Sequence, residues 1–517
     1  DSDKWLAAAQ DEIRKCIESD TWIEVQRSEL PAGANVISTK FVCKIKENQD
    51  GAVTEYKVRL TPRGFEQKKG VDFNDVFAPT GRYRSMRVQL WAAAQYGHEL
   101  QQFDVPSAFL NAPLKEEVYI EHLPGFGTTD TVLKLNKALY GLKQAPREWY
   151  LMMSTFLKEE CGFTPCVSDP CLFYRRTANG ERFILVFVFV DDLESSTHPD
   201  DKDEFDAIVE QWVQRFKIKR LGPTKRFLGM NVSRSPDGSI KIDHAKYITD
   251  MAQRFGLQEG ARVITYDTPA TAVTHAVEED DSDGGGKPTD QQRYMELIGS
   301  LMYAAITTRL DIAHKTCELA RHLLSPCVRH YNAAMRVLRY LVGSKDLGLV
   351  FRRSDEQTEP VIAVWSDSDW AGEKPGRKST TGWIATINGN VVSWQSKLQP
   401  NVALSSSEAE LYAANSAAAE VMYLRGLLGE LGLINTDTCG PSVIHMDNQS
   451  AMAIAQNGVR SSERTKHIDV RYNWLNERLE RRDAVLQWVG TQSQLADILT
   501  KSLGTQPFVR LRSALMA

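Results

Sequence analysis

The sequence predicts a multidomain protein of mixed α+β and α/β architecture, and three observations carry that expectation. The 517 residues call for roughly two to four separate cores. Apolar runs of strand length end in acidic residues at several points, and the middle of the chain has amphipathic helical spacing. Its hydrophobic share of 42% and charged share of 25% are those of soluble globular proteins.

The clearest element is FILVFVFV (183–190), followed at once by Asp191 and Asp192. Eight strand-forming residues in a row predict a buried strand, with the acid pair where it surfaces into a turn. Adjacent carboxylates on a rigid strand end repel one another unless a cation lies between them, and hard oxygen ligands select Mg²⁺ or Mn²⁺. The alternative is a solvated Asp-Asp turn. A second acid, Asp104, ends the short strand ELQQFDV (99–105), and Phe109 follows five residues later. An ordinary turn aspartate and a core phenylalanine are the plain readings of that pair.

The middle of the chain is predicted helical. KIDHAKYITDMAQRFGL (241–257) places Ile248, Met251, Ala252 and Phe255 at helical spacing, and the segments at 296–324 and 330–343 are likewise amphipathic. Between them, EEDDSDGGGKP (278–288) has no apolar residue and predicts a flexible linker near 271–290.

The C-terminal part repeats the pattern of strand then acid. VIAVWSDSDWAG (361–372) leads to Asp367, TGWIATINGNVVSWQSK (381–397) predicts a hairpin turned at Asn388-Gly389, and VIHMDNQ (443–449) ends at Asp447. LADILTKSL (495–503) places Asp497 on the first turn of a helix. In the helix beginning SSSEAELYAA, Ser405 and Glu408 form a capping-box pattern. Glu410 instead heads the stripe Ala414, Ala417, Val421, Leu424 and Leu428. A carboxylate on a core-facing stripe needs a partner, so Glu410 is assigned to metal chemistry and Glu408 to structure. Each acid alone reads more readily as a cap or turn residue; four on strand, helix, strand and helix do not.

The net charge of −5 does not favour nucleic-acid binding, but phosphate contacts depend on local patches. Arg215, Lys217, Lys219, Arg220, Lys225 and Arg226 cluster without an intervening acid, as do Lys134, Lys137, Lys143 and Arg147; solvated helix faces are the plain alternative. No run of eighteen apolar residues and no signal peptide occurs, which argues against a membrane span or secretion. The eight cysteines include no C-x-x-C pair and read as reduced structural thiols. Asp1 in place of an initiator Met suggests a segment cut from a longer polypeptide.

FDVPSAFL (103–110), LYGLKQAPREWY (139–150) and FVFVDDL (187–193) resemble the palm of copia-type LTR-retrotransposon reverse transcriptases. SDSDWAG, ALSSSEAELYA, RTKHIDVRY and ADILTKSL resemble the RNase H domain of the same family. The resemblance implies a right-hand polymerase (fingers and palm over 1–240, a helical thumb and connecting region over 241–358) followed by an RNase H domain over 359–517. It implies RNA-directed and DNA-directed DNA synthesis with degradation of the RNA strand of hybrids. Both sites would use two Mg²⁺ or Mn²⁺ ions, about 4 Å apart, for in-line displacement at phosphorus.

By that resemblance Asp104 and Asp191 hold the polymerase metals with Asp192 in support, and Asp367, Glu410, Asp447 and Asp497 hold the nuclease metals. Phe109 aligns with a steric gate against the ribose 2′-hydroxyl. Tyr140 and Gly141 fall at the incoming nucleotide or template, Lys143 at a backbone phosphate, and Lys57, Arg59 and Arg63 at the triphosphate. FLGMNV (227–232) corresponds to a primer-gripping hairpin. The implied partners are an RNA template, a DNA primer, RNA–DNA hybrid, dNTPs and a tRNA-derived natural primer, with a homodimer as one assembly state and no membrane. The implied location is the cytoplasm, within virus-like particles. Phe189 stands where many family members have Tyr, and WVGTQSQ (488–494) lacks the mobile His of cellular RNases H, for which His467 is the nearest substitute. An inactive nucleic-acid-binding copy and a hydrolase of another class are the competing readings. The full set of acids argues against the first, and the basic patches against the second.

Overall fold

The computed structural model describes all residues except 48–52, 124–125, 127, 179, 181, 258–264, 271–285, 355–358, 374–375 and 458–465, and no side chains at 46–47, 457 and 466–472. Most of the expected linker at 271–290, and the His467 side chain, lie outside the described residues. The chain divides into two compact units: Asp1–Gly81, Gln101–Pro165 and Pro170–Gly222 form the first, and Arg82–Leu100, Cys166–Asp169 and Pro223–Ala517 the second.

The first unit is built around a six-stranded sheet in the order Lys219–Pro223, Glu99–Asp104, Asp192–Thr197, Phe183–Phe189, Leu172–Arg176, Thr164–Pro165. Phe183 to Val188 are all 5% exposed or less, so this strand is covered on both faces and its sequence shows no alternation. Helices Ala145–Glu159 and Lys202–Phe216 contribute Trp149, Phe156, Trp212 and Phe216 to the core. Their rings meet edge to face, with Phe103–Trp212 centroids 5.3 Å apart and Trp149–Phe216 5.4 Å apart. The unit also contains the antiparallel hairpin Thr39–Glu47 and Val53–Pro62, against which helix Ser2–Glu18 packs, and a four-stranded sheet including Pro113–Ile120 and Thr131–Lys137.

The second unit holds helix Tyr83–Tyr96, whose residues from Ser85 to Gln95 are all buried. Even Arg87 is buried there: it donates to the carbonyls of Val392 (2.7 Å) and Thr307 (2.9 Å) and lies over the Trp394 ring. Burial pushes its guanidinium down to about 9. The middle region is less helical than the spacing predicts. A four-stranded antiparallel sheet, Arg226–Phe227, Met230–Arg234, Ile240–Asp243 and Gly348–Phe351, brackets the helices. Residues 241–243 therefore continue a strand, and the helix begins only at Ala245, with Ile248, Met251 and Ala252 buried as the periodicity predicts. The long segment 296–324 breaks at Thr308-Arg309 between helices Gln291–Thr307 and Ala313–Leu319. There Arg309 forms a buried pair with Asp311 at 2.8 Å. The FLGMNV segment is a hairpin whose turn residues, Leu228 and Gly229, both have positive φ.

The C-terminal sheet has the order Asn390–Leu398, Thr380–Ile387, Ile362–Asp369, Ser442–Met446, Ala484–Trp488, the first three strands antiparallel and the last two joined in parallel. Asn388 and Gly389 turn its hairpin with φ of 48° and 77°, the left-handed pair a tight two-residue turn needs. Helix Ser406–Glu430 packs on the central strand, burying Ala414, Ala417, Val421, Leu424 and Leu428 completely. A mixed five-stranded sheet backed by a long helix is the RNase H-like fold that the resemblance implies.

Candidate active sites

The first acid cluster, that expected for the polymerase, forms where two neighbouring strands of the six-stranded sheet end. Phe183–Phe189 turns into Asp192–Thr197 through Val190 and Asp191, with Phe189 opposite Asp192. The Val105 amide donates to the Asp191 carbonyl at 2.9 Å, which places Asp104 beside the turn. Val190 has a φ of +59°, an uncommon conformation for a β-branched residue and one that concentrates at functional turns. The Trp149 indole holds that turn by donating to the Val190 carbonyl at 2.7 Å. All three acids are half-buried. Burial, then the charges of Asp191 and Asp104, push the Asp192 carboxyl up to about 6. Three carboxylates gathered at one strand-end turn form a site suited to a divalent cation.

Phe109, Tyr140, Gly141, Arg59 and Lys57 lie in the same unit. Phe109 is 7% exposed, belongs to the core and packs on Tyr140 with centroids 4.4 Å apart. The Arg59 guanidinium lies 3.9 Å over the Tyr140 ring. Burial, followed by Asp191, pushes the Tyr140 phenol up to about 12, with Asp104 adding to the effect. Tyr140 therefore links the acids to the basic hairpin. Lys57 and Arg59 alternate along Val53–Pro62 and are half-buried, whereas Arg63 lies just past the strand and is exposed. Gly141, at φ +109°, leaves no room for a side chain: a Cβ would fall 2.5 Å from the Pro62 carbonyl oxygen, and one on Gly64 would fall 2.0 Å from that of Gly141. The Lys143 ammonium is engaged within the protein, with the Gln67 carbonyl at 3.3 Å and the Phe73 ring 4.9 Å away.

Several cations of the basic clusters are also neutralised by acids the linear sequence hides. Arg220 pairs with Asp206 (2.6 Å) and Glu210 (2.8 Å), Lys134 with Glu117, and Arg147 with Asp75 at 3.4 Å.

The second acid cluster, that expected for the nuclease, lies at the ends of the parallel strands Ile362–Asp369 and Ser442–Met446. Oxygens of Asp367, Asp447 and Asp497 come within 4.8 Å of one another, the one such group of three among the described residues. Glu410, 5% exposed, joins from its helix by accepting from the Ser368 amide at 3.2 Å. Its other oxygen is buried and makes no hydrogen bond, as expected of a ligand awaiting a cation. Burial, then the neighbouring carboxylates, raises the pKa of Glu410, Asp447 and Asp497 above the ordinary range.

Asp497 sits in the short 3₁₀ turn Leu495–Leu499 rather than on an α-helix. Gln494 fixes that turn to the central strand by donating to the Ser366 carbonyl at 2.9 Å. Glu408 has the capping role expected, with a shift of one residue: its carboxylate accepts from the Leu404 amide at 2.7 Å, while its own amide donates to Ser405 Oγ at 3.1 Å. The sequence reading missed Thr500 and Lys501, which both contact Asp367. Their signal was present in the ADILTKSL motif, with Lys501 four residues beyond Asp497.

An acid-bearing palm sheet and a separate five-stranded sheet with its own acids define the class: a reverse transcriptase fold joined to an RNase H-like fold. Residues 20–269 match the family described as reverse transcriptase (RNA-dependent DNA polymerase). The chain belongs with the Pol polyproteins of copia-type retrotransposons, which it matches along nearly its whole length. It is 36% identical over 507 residues to the retrovirus-related Pol polyprotein from transposon TNT 1-94 of Nicotiana tabacum, covering 97% of this chain and 37% of that protein. To the Pol polyprotein from transposon RE1 of Arabidopsis thaliana it is 32% identical, covering 99% and 34%. The chain thus spans little more than a third of these relatives. A foamy viral protease-reverse transcriptase, solved with RNA/DNA hybrid, shares the fold at a TM-score of 0.50 and 11% identity, over 94% of this chain and 53% of that one.

Proposed function

We propose that this chain synthesises DNA on RNA and DNA templates and degrades the RNA strand of the resulting hybrid. The observation that carries the reading is the presence of two acid clusters, Asp104/Asp191/Asp192 and Asp367/Glu410/Asp447/Asp497, each gathered where interior strands of a sheet end. Two Mg²⁺ or Mn²⁺ ions per cluster would supply Lewis acidity for in-line displacement at phosphorus.

The chain's own residues supply position. Trp149 and the Val190 turn hold Asp191 beside Asp104. Arg59 and Lys57 offer positive charge to a triphosphate, Arg63 extends it, and the Phe109 ring crowds the sugar of an incoming dNTP, with Tyr140 behind it. In the nuclease cluster, the Ser368 amide orients Glu410 and Gln494 holds the Asp497 turn in place. The substrates on this reading are template RNA, a DNA primer (tRNA-derived in the natural cycle), dNTPs and RNA–DNA hybrid, and the setting is a cytoplasmic virus-like particle. We further read the boundaries as fingers and palm over 1–240, thumb and connection over 241–358, and nuclease over 359–517.

Extension of a labelled primer on an RNA template, with cleavage of the template strand followed in the same reaction, tests the proposal. Both reactions should require Mg²⁺ or Mn²⁺ and stop with EDTA. Extension without divalent ions, or none with them, overturns the polymerase assignment; the same outcomes for cleavage overturn the nuclease assignment.

A further inference from the structure

Lys501 stands inside the nuclease cluster. Its Nζ lies 2.8 Å from Asp497 Oδ1 and 3.6 Å from Asp367 Oδ2, and its side chain is 36% exposed. The neighbouring Thr500 hydroxyl donates to the same Asp367 oxygen. Around them, the oxygens of Asp367, Asp447 and Asp497 gather within 4.8 Å, and one oxygen of Glu410 is buried without a hydrogen bond. Carboxylates this close cannot all be charged unless positive charge is brought among them, and the ammonium touches two of them.

We propose that Lys501 is the resident cation of the nuclease site: it holds Asp367 and Asp497 together when divalent ions are absent and releases Asp367 when a divalent ion takes that oxygen. Binding of metal is then an exchange of one cation for another. The long flexible lysine stem permits it, since the compact ammonium can keep Asp497 or swing to solvent without moving the backbone. No ion pair to Asp104, Asp191 or Asp192 forms among the described residues, so the exchange is confined to the nuclease site, which should need more Mg²⁺ to fill than the polymerase site. The inference rests on the nuclease reading of these acids.

The test uses the full chain in an Asp191→Asn background, so that the polymerase cluster adds little to the signal. Lys501→Met should lower the melting temperature in EDTA and bind Mg²⁺ and Mn²⁺ about tenfold more tightly by calorimetry, because the competing charge is gone; Lys501→Arg should melt near the parent. Affinity in Lys501→Met equal to or weaker than the parent overturns the proposal. A second measurement needs no variant at this position. Acylation of Lys501 by an amine-reactive reagent, read by mass spectrometry, should be slow in EDTA and faster in Mg²⁺; an unchanged rate overturns it. If the ions bind and expose Lys501 while hybrid stays uncut, the nuclease reading fails and the exchange stands.

Discussion

Asp104, Asp191 and Asp192 are half-buried at strand ends and form no ion pair among the described residues, whereas Asp367, Glu410 and Asp497 are at most 7% exposed and have Lys501 among them. The difference follows from where each set is mounted. A hairpin turn leaves its carboxylates within reach of water, which screens their repulsion. Acids drawn from a strand, a core-facing helix and a 3₁₀ turn converge below the surface, with the half-buried Asp447 beside them, where repulsion is screened less and an internal cation becomes necessary. Depth, more than the number of acids, decides whether such a site carries a counter-charge of its own.

The strongest break in the comparison is genetic separation of the two reactions. Asp191→Asn should reduce primer extension by roughly three orders of magnitude and leave hybrid cleavage within about twofold, and Asp447→Asn should do the reverse. Loss of both reactions from either change would mean that the clusters are not independent.

Next in size is Phe109→Ala. As a core ring it should cost about 3 kcal/mol or more of stability, read by denaturant titration. If it also guards the sugar, ribonucleotide incorporation should rise at least about tenfold; a stability loss with unchanged selectivity assigns it to the core alone.

Acidity sharpens the contrast further. The Asp192 carboxyl is raised from 3.8 to about 6, so the folded state favours its protonated form. The stability this contributes is fully present below pH 3.8 and lost as pH rises through about 6. In EDTA, wild-type protein should therefore lose melting temperature across that window, and Asp192→Asn should lose less. Equal slopes would remove the crowding argument for the polymerase cluster.

The smallest effect separates two glutamates one turn-edge apart. Glu408→Gln should cost about 1 kcal/mol of stability through the weakened cap and spare hybrid cleavage, while Glu410→Gln should abolish cleavage.

Much of both sites was legible in the sequence because a strand announces itself by an apolar run, and an acid at its end has nowhere to go but the sheet edge; this located Asp104, Asp191, Asp367 and Asp447. Helical phase alone divided Glu408 from Glu410, whose stripe is buried as expected. What stayed hidden depends on partners distant in sequence. The strand Gly348–Phe351 pairs with Ile240–Asp243 more than a hundred residues earlier, so local periodicity gave only helix. Arg220 looked free because its acids lie on the preceding helix. Lys501 drew no assignment from the sequence, because its place among carboxylates follows from a 3₁₀ turn that linear spacing does not reveal.

Gly64 and Gly141 meet main chain to main chain, with no space for even one carbon between them. Both positions are thus closed to mutation: an alanine at either would wedge the basic hairpin off the loop that carries Tyr140. A chain altered at either glycine is therefore expected to lose this junction while every acid of both clusters is still in place.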